Sequence, residues 1–403
     1  MKWYLLWSVL SICFAFLRTF FLARYLKESE LANLSIGLGV VALCGVLISI
    51  PLNTSFVVLY KKRLVDQRKV IIKSISDYSL NLIIACVIFC VVIFYIDDVS
   101  IEYFVAVSSL FFLISLVNQS ILSVEDLASF NQYSSIIATL FTIPVVYILH
   151  EGYFSLSSGY IASIVLITIN ACPAIINLLF VRLKLVSNNA ESNFKVLINL
   201  AKESFVSAKL LYISGVFGET ARMVARLVFQ STSEKLLVCY QIALWLMQPV
   251  QTLISHVINM KIYPQLVDGK VSILSFLKYT KISFYIIVLL SALSFFVPSD
   301  FYLFFLKIIN KTELLNSQPE LNVIVFSELI RVLVASMGVV YIIKNRINLL
   351  AWFEIAYSLA FLISLLIIFN LNATYSIYMY VLPPLVYAFL ILTYNKLIIK
   401  NEI

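Results

Sequence analysis

Three arginines stand inside long apolar runs of this 403-residue chain: Arg18 between Trp3 and Leu26, and Arg222 and Arg226 between Phe205 and Gln230. A guanidinium stays charged at any physiological pH, and placing one at the centre of a membrane helix costs roughly 2.5–3.5 kcal/mol on insertion scales. Such a group belongs in a bundle interior, a wet cavity or against an anionic ligand, so the pattern points to transport of something anionic.

Spacing sharpens this. Glu219, Arg222 and Arg226 are separated by three and then four residues, which stacks them on one helix face. The glutamate neutralises one arginine and leaves the other as a forked donor suited to phosphate or carboxylate. The alternative is an ion-paired network that only locks helices together. Glu328 and Arg331 repeat the i, i+3 pairing further along, and Arg331 would add positive charge to a cavity from the second half. Glu354 is the remaining acid near an apolar run. Arg24, six residues after Arg18, falls on another face near the helix end and is expected to snorkel to the interface. Tyr212, Tyr240 and Tyr341 could line a sugar path, but nothing in the sequence singles out any one tyrosine.

Signals for catalysis are missing. The two histidines, His150 and His256, have no HExxH context, and there is neither a P-loop nor a GxSxG pattern. Transport driven by ATP hydrolysis on this chain is therefore not expected, and no cofactor or metal site is implied. The six cysteines lie in apolar runs and read as small buried hydrophobes.

Those side chains must be positioned by membrane helices. Hydrophobic residues make up 62% of the chain and charged residues only 12%, far below the quarter typical of soluble domains. Apolar runs predict an all-α polytopic membrane protein with about twelve spans: 3–26, 32–59, 78–96, 103–123, 131–149, 157–181, 205–230, 236–259, 282–298, 321–343, 349–369 and 375–395. Lys2 precedes a stretch of spanning length with no small-residue cleavage site before Arg24, so the first helix is expected to be retained.

The net charge of +8 is concentrated in alternate connections, at Lys61 to Lys73, Arg182 to Lys202, Lys261 to Lys281 and Lys344 to Arg346. The opposite connections hold Asp97, Asp98, Glu102, Glu151, Glu234, Asp300 and Glu320. The positive-inside rule explains this distribution without nucleic acid binding, and it places both termini in the cytoplasm. Glu125 and Asp126 depart from the pattern, but acids count little in that rule.

Prolines suggest a six-plus-six repeat, with Pro51 matched by Pro249 and Pro173 by Pro383 and Pro384. Matched kinks would serve as hinges, although proline is common in membrane helices generally. Between the halves, Phe194, Leu197, Ile198, Ala201 and Phe205 recur at helical spacing opposite Lys195, Asn199, Lys202 and Glu203. The reading is an N-terminal six-helix lobe (1–187), a cytoplasmic amphipathic linker (188–204) and a C-terminal six-helix lobe (205–403).

The layout resembles the polysaccharide flippases of the MOP exporter superfamily, in particular the Wzx-type O-antigen flippases. The resemblance rests on twelve spans with cytoplasmic termini, the opening FAFLRTFFLARYLKESELANLSIGLGV (Phe14 to Val40) and the restart GETARMVARLVFQSTSEKLLVCYQIAL (Gly218 to Leu244), followed by Pro249 and Pro264. It implies two six-helix lobes around a central cationic cavity and movement of lipid-linked oligosaccharide from the inner to the outer leaflet of a bacterial cytoplasmic membrane. By that likeness Arg18, Arg222, Arg226 and Arg331 become contacts for the pyrophosphate or acidic sugars. Partners would be the lipid-linked substrate, membrane lipids, and a polysaccharide polymerase with its chain-length regulator. Span one lacks the acid that ion-coupled multidrug relatives carry there, so coupling to H⁺ or Na⁺ would have to use Glu219, Glu328 or Glu354. A multidrug exporter of the same superfamily and a membrane polysaccharide polymerase or ligase are the competing readings. Exporters of cationic drugs favour negative sites, and polymerases carry a long outer loop that the 299–320 connection does not match.

The charge distribution gives a topology test. In a cysteine-free background, Lys62→Cys should be shielded from an impermeant thiol reagent in intact cells and Asp98→Cys labelled; labelling at Lys62 alone would reverse the orientation.

Overall fold

A backbone polar group in hydrocarbon has no water to bond, so a chain this apolar must satisfy its amides internally, and helices are the open-ended way to do it. The computed structural model describes residues 2–49, 60, 63–94, 101–125, 127, 129–151, 157–187, 190–257, 272, 275–276, 285, 299–338, 340–341, 346–371 and 374–400. Among them every regular element is helical. The expected span at 282–298, Pro51 and Pro264 lie outside the described residues, apart from Tyr285.

The helices are α1 (Lys2–Tyr25), α2 (Glu28–Ser49), α3 (Val65–Phe94), α4 (Ile101–Val124), α5 (Ser129–His150), α6 (Ser158–Leu185), α7 (Phe194–Thr232), α8 (Glu234–Val257), α9 (Ser299–Ile308), α10 (Gln318–Met337), α11 (Ile347–Leu371) and α12 (Leu382–Lys400). Tight 3₁₀ turns at Thr312–Ser317 and Thr374–Val381 lead into α10 and α12. Seven stretches among the described residues are long and apolar enough to cross a bilayer: Glu28–Leu47, Val65–Val92, Glu102–Ser123, Ser129–His150, Ser158–Leu185, Ile347–Asn370 and Ile377–Asn395. Large apolar side chains project from them, among them Ile88, Phe141, Leu366 and Phe389, which is 68% exposed. In water such faces would drive aggregation; against acyl chains they are the matching surface.

Two elements differ from the sequence reading. The amphipathic segment and span seven form one unbroken helix, α7, since no proline interrupts the 39 residues from Phe194 to Thr232 and the helix continues through Gly215 and Gly218. Pro383 and Pro384 do not kink a span. They occupy the first turn of α12, where amide donors have no intrahelical acceptor to lose. Pro173 and Pro144 do sit within helices, α6 and α5. Of the cysteines, Cys86 and Cys239 are buried as expected, whereas Cys13 is exposed.

The chain divides into two compact units. The first comprises Met1–Arg18 with Ser29–Tyr212, the second Thr19–Glu28 with Ile213–Ile403. In the first, α4 packs along α6, α6 also against α5, and α3 against both α4 and α6. Neutral polar groups join them: Asn170 donates to the Ser108 hydroxyl at 2.9 Å, Ser108 donates to the Leu166 carbonyl at 3.1 Å, and Asn177 reaches Ser115 at 3.4 Å. Gly45 in α2 permits close approach to Phe112 in α4, since a Cβ there would fall 2.4 Å from the ring.

In the second unit, α8 and α12 pack on α10, and α11 on α12. The C-terminal end of α1 is held within this unit. Lys311, 6% exposed, donates to the Leu26 carbonyl at 2.9 Å, and Arg24 donates to the Ile308 carbonyl at 3.2 Å. A cation at a helix C-terminus satisfies orphan carbonyls and opposes the helix dipole. Arg24 thus takes a structural bond.

Interhelical bonds between neutral groups in membrane proteins average about 0.6 kcal/mol and reach about 2. Asn170→Ala should lower the melting temperature of the purified protein in detergent more than Thr168→Ala does, because the Thr168 hydroxyl bonds only to its own helix, at Ile164.

Candidate functional site

The second unit gathers six of the seven charged residues singled out by spacing; Arg18 belongs to the first unit. In α7, Glu219 and Arg222 form an ion pair one turn apart. In α10, Arg331 donates through Nε at 2.8 Å and Nη2 at 2.7 Å to a single oxygen of Glu328. The other Glu328 oxygen accepts from the Tyr380 hydroxyl at 3.2 Å, and the Tyr380 carbonyl in turn accepts from Ser327 at 2.8 Å. Arg222 lies within electrostatic reach of Arg331 and Glu328, so the pairs on α7 and α10 form one cluster. Side-chain exposure falls from 34% at Arg222 to 6% at Glu328, which makes Arg222 the open edge and the α10 pair the floor.

Arg226 is placed differently. It is 7% exposed, its guanidinium lies over the Tyr240 ring at 5.6 Å, and its one hydrogen bond among the described residues is a long 3.4 Å contact to the Arg222 carbonyl. Its Nε has no hydrogen-bond partner there. Among the described residues this buried guanidinium thus has a donor without an acceptor and an aromatic face beneath it. Phosphate and carboxylate oxygens are the acceptors that match its fork.

Glu354 in α11 is engaged by a phenol rather than a guanidinium: the Tyr387 hydroxyl donates to its Oε1. Among the described residues Glu219 and Glu328 are ion-paired and Glu354 is not.

Around these charges is an aromatic shell that spacing did not reveal. Tyr240, Tyr380 and Phe229 pack with ring centroids 5.1 to 6.1 Å apart, Phe361 meets Tyr380 at 5.1 Å, and Tyr357 meets Tyr387 at 5.5 Å. Tyr240 was one of three tyrosines considered from sequence; Tyr357, Tyr380 and Tyr387 were not. They come from α11, a 3₁₀ turn and α12, so no single-helix periodicity marks them. Tyr212 and Tyr341 are used elsewhere: Tyr212 donates to the Leu47 carbonyl, and Tyr341 packs on Phe353 and Tyr394.

This helical architecture has known counterparts. A lipid II flippase, MurJ, in an inward closed conformation superposes with a TM-score of 0.65 at 13% identity, covering 98% of this chain and 88% of that one. An inward-facing multidrug resistance MATE family transporter of the MOP superfamily aligns with a TM-score of 0.64 at 12% identity, covering 97% of this chain and 94% of that one. No protein-family model matches the sequence, and no curated protein does. At such identities the likeness concerns the fold, and the residues must carry the function.

The α10 pair separates structure from recognition. Glu328→Ala would leave Arg331 uncompensated and should cost about 3–5 kcal/mol, whereas replacing both residues with Leu and Met should come close to neutral. Melting in detergent and membrane abundance of the single and double variants measure this; equal losses in both would mean that Arg331 serves something other than the pair.

Proposed function

We propose that this chain is a flippase that moves lipid-linked, undecaprenyl-diphosphate-borne oligosaccharide units across the bacterial cytoplasmic membrane by alternating access, supplying O-antigen or another surface polysaccharide. The proposal includes twelve spans in two six-helix lobes and cytoplasmic termini. The observation that carries it is Arg226, a buried cation with unused donors beside Arg222 at the exposed edge of the cluster. A diphosphate offers both charge and bidentate geometry to such a pair, while a polyprenyl tail stays in lipid. Arg331 sets the potential of the cluster from its pair with Glu328, and Arg18, in the first unit, is kept as a candidate contact for the phosphate or acidic sugars. Tyr240 and its neighbours supply faces for sugar rings.

The likeness to a MATE transporter favours a second reading, cation-coupled drug export. Its usual cargo wants negative charge, whereas among the described residues the buried Arg226 guanidinium has no carboxylate partner, just as Glu354, held by the Tyr387 phenol, has no guanidinium partner. The fold likeness to a lipid II flippase is compatible with a lipid-linked anion.

Coupling to H⁺ requires an acid whose proton affinity changes between states, and coupling to Na⁺ an oxygen site whose sodium affinity does. Glu219 and Glu328 are held by guanidinium groups, so Glu354, facing a phenol, is the acid best suited to exchange a proton.

Flipping of a fluorescent lipid-linked glycan in proteoliposomes tests these roles. Arg226→Lys should retain partial transport and Arg226→Ala little, at normal membrane abundance; full transport by the Ala variant would remove Arg226 from recognition. Under an imposed pH gradient, Glu354→Gln should lose the acceleration that Glu219→Gln keeps. The reverse result would move coupling to Glu219.

A further inference from the structure

Within the first unit, which does not hold the cluster of α7 and α10 charges, a cavity of about 390 Å³ opens between the start of α3 and the first turns of α7. Its polar lining is Arg63, Gln67, Asn193, Asn199 and Glu203, and aliphatic side chains such as Val70 and Leu200 form the wall beneath. Arg63 and Glu203 bridge the mouth with an ion pair at 2.5 Å, their side chains 33% and 45% exposed. An ion pair that open to solvent contributes little, so Arg63 can exchange Glu203 for a better acceptor at small cost.

Charge decides what that acceptor is. Residues 63–73 and 193–203 carry six basic side chains against two acidic ones. Asp66 is occupied by Lys69 at 3.3 Å, and Lys73 is turned to Asp77 at 3.5 Å. Arg68 fixes the approach, since its Nε donates to the Arg63 carbonyl at 3.1 Å and its guanidinium lies 5.8 Å from the Tyr60 ring centroid. Tyr60 is fully buried and donates to Glu125 at 2.6 Å. Burial first, and then that bond, raise the Tyr60 phenol above its usual range, so it keeps its proton and occupies the Glu125 carboxylate. The excess at the mouth is therefore positive.

Apolar surface decides the source. Leu64 and Val65, next to Arg63, are 73% and 63% exposed, and Phe194, Ile198 and Phe205 on α7 are also exposed. A polar cavity whose lining residues have exposed aliphatic and aromatic neighbours along the same segments suits an amphiphile at the membrane surface, with its headgroup inside and its chains outside.

We propose that this cavity is a binding site for the phosphate headgroup of an anionic phospholipid. Arg63 grips the phosphate oxygens in place of Glu203, and the amides of Gln67, Asn193 and Asn199 donate to the headgroup. Leu64, Val65, Ile198 and Phe205 meet the acyl chains. The site is separate from the glycan-carrying cluster and independent of what that cluster transports.

Native mass spectrometry of the full-length protein in detergent, with phosphatidylglycerol or phosphatidylcholine of the same acyl chains, tests the assignment. Phosphatidylglycerol should be retained over phosphatidylcholine. Arg63→Ala should weaken retention roughly tenfold, the loss of one charge-assisted fork. Lys307→Ala removes the same charge from the second unit and should change nothing. Glu203→Gln, which frees Arg63 without deleting it, should strengthen retention, and it decides the matter if Arg63→Ala melts early without lipid. Equal losses for Arg63→Ala and Lys307→Ala, equal retention of the two lipids, or no gain in Glu203→Gln would each overturn the site. Displacement of the lipid by millimolar inorganic phosphate would overturn the lipid assignment in favour of a free anion.

Discussion

A guanidinium cannot shed its proton on entering a helix bundle, and that constraint organises the second unit. Arg331 takes two bonds to Glu328, Glu328 takes a third from Tyr380, and the Tyr380 backbone is fixed by Ser327. Each partner answers the desolvation of the one before it. The 3₁₀ turn preceding α12 is located by this chain of obligations, since it presents Tyr380 to α10 while apolar packing of Tyr387 and Ile391 seals the far side. With the α10 pair neutralised, Arg226 is left without a carboxylate partner among the described residues, as Glu354 is left without a guanidinium. A bundle that had no use for Arg226 could satisfy the same geometry with leucine and lose nothing.

The first unit solves its packing by another route. Serines and asparagines on α3, α4 and α6 bridge helices with neutral bonds, and Gly45 lets α2 come close to α4. Arg18 and the buried Glu30 apart, the charges named in that unit lie toward helix ends, where Arg63, Lys73 and Arg182 pair with Glu203 and Asp77.

Much of this was legible in the residues. Helices declared themselves by apolar length, and the i, i+3 pairs of Glu219 with Arg222 and Glu328 with Arg331 formed as their spacing required. So did the surplus of Arg226, because one glutamate cannot serve two arginines. The aromatic shell was not legible, since Tyr357, Tyr380 and Tyr387 converge from different elements and only tertiary packing brings them together. The expected mid-span kink at Pro383 and Pro384 is absent for a local reason. A proline in an apolar run looks the same whether it lies in mid-helix or in the first turn, and the 3₁₀ stretch before it left no mark in hydropathy. Continuity through α7 was hidden because a change from charged to apolar composition resembles a boundary when the backbone has none.

The neutral polar joints of the first unit carry a further consequence, for how such a chain changes over time. A hydroxyl meeting an amide can be replaced by threonine for serine or glutamine for asparagine, or moved a turn along both helices, at the cost of one weak bond. Lipid-facing positions ask only for an apolar side chain. Most positions are thus constrained in kind and not in identity, and the fold persists while the text that encodes it is rewritten. That is a physical reason why a helical frame shared over nearly the whole chain coexists with 13% identity.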